Sequence, residues 1–190
     1  MADMEEIKSD LGYVRKAVAR SVQSQSPAAI WFLWAGICLV GFSLIDLAPG
    51  PVVSLYWSIA APLGMLVSGF LGWHYGKRQG QMAHDAGIRY FLHFGGMLAP
   101  IFLAGILGAT GAVAWQELSK LTLLFIGLAY FLAGVHMERP LLWIGILMMA
   151  GYLALFIIPA YGWTFIGALV AVALVSTGLI GRRKSGRSPR

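Results

Sequence analysis

The chain reads as an all-α membrane protein, a six-transmembrane-helix bundle of three hairpins with an N-terminal amphipathic helix. Three observations predict this. Of 190 residues 58% are hydrophobic and only 12% charged, whereas a globular domain is nearer half apolar and a quarter charged. Six long apolar stretches follow one another, each close to the roughly 20 helical residues that cross a hydrocarbon core of about 30 Å. The charges sit almost wholly at the two ends and in the connections. Glycine (24) and Trp (7) are abundant, as expected where helices approach closely and aromatics anchor at interfaces.

Residues 1–27 precede the membrane. Asp3 and Glu6 have capping-box spacing. Acidic Glu5, Glu6 and Asp10 come before basic Arg15, Lys16 and Arg20, the order that suits a helix dipole. Ile7, Leu11, Val14 and Val18 form one apolar stripe. The stripe has two readings: a helix lying on the membrane surface, or a short docking helix for a partner or a second copy. Gln23-Ser-Gln-Ser-Pro27 ends the helix, because proline disfavours helix in the residue before it.

The transmembrane domain covers 28–181. Its expected spans are Ala28–Leu47, Val52–Trp73, Tyr90–Val113, Leu121–Val135, Leu141–Ile158 and Trp163–Gly181, the fourth being the short one. The first span is long enough to cross the bilayer and no cleavage site follows it, so it is expected to be retained. Small residues at four-residue spacing (Gly64, Ser68, Gly72; Ala104, Gly108, Ala112; Gly167, Ala171) predict close helix contacts, within the chain or between copies. Pro62 and Pro100 fall inside the second and third spans and each removes a backbone donor. The first and third hairpins share a pattern: Trp34 and Gly36 against Trp143 and Gly145, turns at Pro49 and Pro159, resumption at Trp57 and Trp163, and a basic end. It is read either as an internal repeat or as the composition any such hairpin requires.

Of the 14 Lys and Arg, all but Lys120 fall on the side that holds the N-terminus, the 74–93 connection, the 136–140 turn and the basic tail 182–190. The positive-inside rule then predicts both termini in the cytoplasm of a multi-pass cell (inner) membrane protein. The tail is expected to attract anionic headgroups. Nothing in it forms the folded, aromatic-interleaved basic face that nucleic acid needs. Cys38, a lone cysteine inside a span, reads as a small buried apolar residue.

No nucleophile elbow, phosphate loop or zinc-protease motif occurs, so a non-enzyme is expected. Charged side chains are missing from the span centres, which counts against proton-driven pumping. The histidines are the one constellation. His74, His84, His93 and His136 all belong to the basic side, three of them within His74–His93. His93 and His136 are candidates for a shared haem or other cofactor. His74, His93, His136 and Glu138 are candidates for a metal. The alternative is interfacial histidines that cap helix ends, with no cofactor. Ser119 is expected on the other side of the membrane from them.

The leading functional reading is an interaction or regulatory subunit working through its cytoplasmic face. It would meet the bilayer and another membrane or cytoplasmic protein, or a second copy, with Ile7, Leu11, Val14 and Val18 as partner-binding residues. The second reading is a transporter or channel for a small neutral solute, and the third a haem- or metal-binding membrane protein.

Overall fold

The computed structural model describes residue 12 and residues 26–78, 84–158 and 160–185. Among them are six helices and no strand: α1 (Ala28–Leu47), α2 (Gly50–Arg78), α3 (His84–Ala109), α4 (Trp115–His136), α5 (Arg139–Ala154) and α6 (Gly162–Ser185). Five are long and apolar enough to cross a membrane, and α5, with 16 residues, is the shorter sixth. Gly12 is helical. The stripe residues Ile7, Leu11, Val14 and Val18 and the tail beyond Ser185 lie outside the described residues.

The element limits depart from the sequence expectation at both ends of the central connection, where α2 runs past Trp73 to Arg78 and α3 begins at His84 ahead of Tyr90, and α6 reaches Ser185 rather than Gly181; three further departures each have a local cause. α4 is a full 22 residues and not the short span, because it begins at Trp115. Glu117 and Lys120 occupy its first turns and pair at 2.8 Å, so each offsets the other's charge on the helix surface. α3 stops at Ala109. Gly111 takes φ +73°, and the amides of Ala112 and Gly111 donate to the carbonyls of Leu107 and Gly108, the paired bonds of a Schellman end that a Cβ would strain. α5 ends at Ala154, not Ile158. Phe156 and Ile157 donate to carbonyls three residues back, tightening the chain before Pro159, which disfavours helix at Ile158.

Neighbours around the bundle follow chain order. α1 packs on α2 and α6, α4 on α3 and α5, and α5 on α6, while α2 barely touches α3. The core comes from four helices: Trp31, Ala35, Cys38 and Phe42 of α1, Leu123 and Ala133 of α4, Leu141, Ile144 and Met148 of α5, and Ile166, Val170, Ala171 and Leu174 of α6. α2 and α3 are peripheral. Leu66, Phe70, Phe91 and Phe102 are exposed on them, a surface that hydrocarbon covers at no cost in a bilayer.

Small residues set the closest approaches. Gly167 faces Phe42 and the Cys38 carbonyl of α1, Gly64 faces Ile37 and Trp34, and Gly108 faces Leu118 and Trp115. Ser68 accepts the Trp34 indole N–H at 3.0 Å. Gly72 has no neighbour within 4 Å, and Ala112 lies past the end of α3. The tightest joint is α4 on α5. A Cβ on Gly134 would fall inside the Leu142 backbone, and one on Gly145 would lie 2.6 Å from the Gly127 carbonyl oxygen. Trp57 and Trp163 both set their rings on Phe42, at 5.7 and 5.8 Å. Gly36 nevertheless meets nothing within 4 Å where Gly145 is pressed against α4, so the first and third hairpins do not pack alike.

Candidate functional site

Glu138 lies between α4 and α5. The amides of Met137 and Glu138 both donate to the Ala133 carbonyl, which closes α4. Glu138 is then extended (φ −128°, ψ 116°) in the N-cap position of α5, and Pro140 follows inside the first turn. An N-cap carboxylate ordinarily accepts from its own helix. Here it makes no such bond and turns instead toward the start of α1.

Its Oε1 accepts three hydrogen bonds: from the Ser26 amide at 2.9 Å, from the Ser26 hydroxyl at 2.6 Å, and from the Tyr90 hydroxyl at 2.6 Å. The two O–H bonds have the length of charge-assisted ones. Ser26 is fixed from its other side too, since its carbonyl accepts the Trp31 indole N–H at 3.3 Å. Tyr90 stacks on Phe94, whose ring meets Tyr130 edge-on. One carboxylate oxygen thus ties the entry of α1, the first turns of α3 and the α4–α5 turn.

Glu138 is only 9% exposed. Its Oε2 is buried and has no hydrogen-bond partner among the described residues, and no described Lys or Arg lies within ion-pair reach of it. Beside the junction lies a cavity of about 450 Å³ lined by Ser26, Pro27, Ala28, Ala29, Phe32, Tyr75, Gly181 and Arg182. It joins the start of α1 to the ends of α2 and α6. The ends of α2, α4 and α6 and the starts of α1, α3 and α5 therefore share one side, which holds the described basic side chains of Lys77, Arg89, Arg139, Arg182 and Arg183.

The opposite end has a smaller counterpart. Asp46, in the last turn of α1, accepts the Thr164 amide at 2.7 Å and the Thr164 hydroxyl at 2.8 Å, both on Oδ2. The free amides that open α6 are thereby partly satisfied.

The histidines are spread out. His74 is exposed and stacks on Phe70. The side chain of His84 lies outside the described residues. His93 Nε2 is 2.8 Å from the Ala129 carbonyl, so that nitrogen carries the proton and donates. Ala129 precedes His136 by seven residues, a rise of roughly 10 Å along α4, so His93 and His136 do not converge on one ion or one haem iron. Among the described residues no three His, Cys, Asp or Glu side chains form a group able to hold a metal. Of the four candidate ligands, Glu138 alone stands in a built polar site, and its partners are hydroxyls and an amide.

Ser26 and Tyr90 were not singled out from the sequence, and neither was the Asp46–Thr164 pair. The available signal was a carboxylate closing an apolar span two residues before a proline, with a serine before the first span. Comparison with family models, with curated proteins and with solved structures gave no match.

Proposed function

We propose that this chain is a non-enzymatic interaction or regulatory subunit of a membrane assembly, and that its basic end meets the partner. The observation that carries this reading is convergence. Ser26 is where residues 1–25 enter the bundle, Tyr90 follows the central connection, Glu138 is the α4–α5 turn, and Arg182 opens the basic tail. All four belong to one polar junction and its adjoining cavity. A partner holding residues 1–25 would act on Ser26, and through Glu138 on α3 and α5.

The dense centre also supports this reading. Leu123, Ile144, Met148, Val170 and Leu174 are each 2% exposed or less, and a solute path through the bundle would have to part them. The bias of basic residues supports placing the junction in the cytoplasm, with both termini there and the protein in a cell inner membrane. An N-terminal amphipathic helix carrying Ile7, Leu11, Val14 and Val18 would supply the partner contact.

The test is native mass spectrometry of the protein gently extracted from its own membrane, beside a chain lacking residues 1–22. The expected result is a partner chain, or a second copy, on the full protein and its loss from the truncated one, with membrane insertion unchanged. Retention of every partner by the truncated chain would end the docking role. A mass gain matching haem or a metal would revive the histidine reading.

A further inference from the structure

We propose that the groove between α2 and α6 at the basic end holds one anionic phospholipid, with its phosphate on Arg182 and an acyl chain along the outward face of α1. The headgroup end is the cavity of about 450 Å³ beside Ser26, within the size range of small-molecule sites. Ser26 gives its amide and hydroxyl to Glu138. Tyr75 and Arg182 are therefore the polar side chains the cavity offers, and Pro27, Ala28, Ala29 and Phe32 are its apolar wall. A phenol and a guanidinium against an apolar wall suit an amphiphile. The guanidinium matches a phosphate with two parallel N–H bonds. Lys77 and Arg183 are exposed at the ends of the same helices. Their charge favours a headgroup of net negative charge over a zwitterionic one.

The cavity runs on into a groove that the helix order creates. α1 packs on α2 and on α6, and among the described residues α2 and α6 do not touch each other. On the α2 side Gly41 faces Trp57, and Gly64 faces Ile37. On the α6 side Gly167 faces Phe42, and Gly178 faces Phe32. The face of α1 left between them carries Ala29, Gly36 and Val40, seven and four residues apart and so on one side of the helix. All three are exposed, and a Cβ added to Gly36 would meet nothing within 4 Å. Ala29 belongs both to the cavity and to this face. From Ala29 to Gly36 the face forms a shallow track of roughly 10 Å, the rise of seven residues, leading away from the charged end. The groove is continuous with the apolar surface that hydrocarbon covers, so one molecule with a charged head and an apolar chain meets both chemistries. This differs from general attraction of a basic surface, because it assigns the phosphate to Arg182 and not to Arg183, which is no part of the cavity wall.

The experiment is native mass spectrometry of the full chain in detergent, titrated with phosphatidylglycerol. One phosphatidylglycerol should be retained per chain. Arg182→Gln should weaken its retention about tenfold, the loss of one charge-assisted pair. Arg183→Gln makes the same change of charge beside the site and should shift retention less than about twofold, as an exposed charge does. Gly36→Leu should weaken retention several-fold by filling the track. Its unfolding temperature should be no lower, since its side chain enters open space and leucine favours helix over glycine.

Equal losses in Arg182→Gln and Arg183→Gln would overturn the site and leave only general attraction. So would phosphatidylcholine held as tightly as phosphatidylglycerol, or a Gly36→Leu chain that keeps its lipid. No partner chain enters the experiment, so failure of the lipid site leaves the subunit reading standing, and loss of the subunit reading leaves the lipid site.

Discussion

Asp46 and Glu138 make the same clamp at opposite ends of the bundle. In each, one carboxylate oxygen accepts both the amide and the hydroxyl of a Ser or Thr at the start of a distant helix. They differ in burial and in load. Asp46 is half-buried and serves Thr164. Glu138 is buried, adds Tyr90 to the same oxygen, and keeps the other idle. The first is what helix capping requires and no more. The second exceeds it, and the excess is what marks a site rather than a staple, because a buried acceptor without a donor is rare in native structures.

The largest effect should come from the joint that aims Glu138. Gly134 lies four residues before it, and a Cβ there would enter the Leu142 backbone, which no side-chain rotation relieves. Gly134→Ala should destabilise the protein by about 3 kcal/mol or more, the upper range for overpacking. It should disturb the Glu138 end while leaving the Asp46 end intact. Thermal unfolding in detergent, with amide exchange read separately at residues 26–30 and 162–166, checks both parts. Equal disturbance at the two ends would mean that the clamps are not independent.

Next come the clamps themselves. Glu138→Ala strips half-buried Ser26 and Tyr90 of their acceptor and should cost about 2–3 kcal/mol. Asp46→Ala removes a cap that water partly replaces and should cost about 1 kcal/mol. Unfolding midpoints of the two variants measured side by side give the ratio. A larger loss at Asp46 would reverse the ranking that burial sets.

How much of this was legible in the sequence follows from the range of each interaction. The spans and their turns are local features, written in apolar runs interrupted by Pro49-Gly50, by Glu138-Arg-Pro140 and by Pro159 to Gly162. The expected start of α4 was late because a Glu117–Lys120 pair looks like a connection until the two charges are seen to offset each other on one helix face. The tightest helix joint escaped the four-residue rule. Gly127 and Gly134 recur after seven residues, two turns apart on the same face, with Gly145 opposite. The junction was out of reach altogether. Ser26 and Tyr90 stand 112 and 48 residues from Glu138, and no periodicity links positions so far apart. The histidines drew attention because their chemistry is versatile, yet His93 is occupied by a backbone carbonyl. A side chain's repertoire says little until its neighbours are known.

The smallest expected effect separates load from burial most sharply. Ser26→Ala and Thr164→Val each delete one hydroxyl donor from a clamp and keep the amide. Burial alone ranks Ser26→Ala as the costlier change, since a hydrogen bond to a buried charge is worth more than one near solvent. Load ranks them the other way. Glu138 Oε1 has more donors than lone pairs, so losing one relieves competition, whereas Asp46 Oδ2 loses half of what it holds. Thr164→Val should therefore cost about 1 kcal/mol and Ser26→Ala less than about 0.5 kcal/mol, below the usual net worth of a hydrogen bond. Paired unfolding curves resolve that gap. A cost for Ser26→Ala above that of Thr164→Val would show Oε1 to hold its three donors without strain.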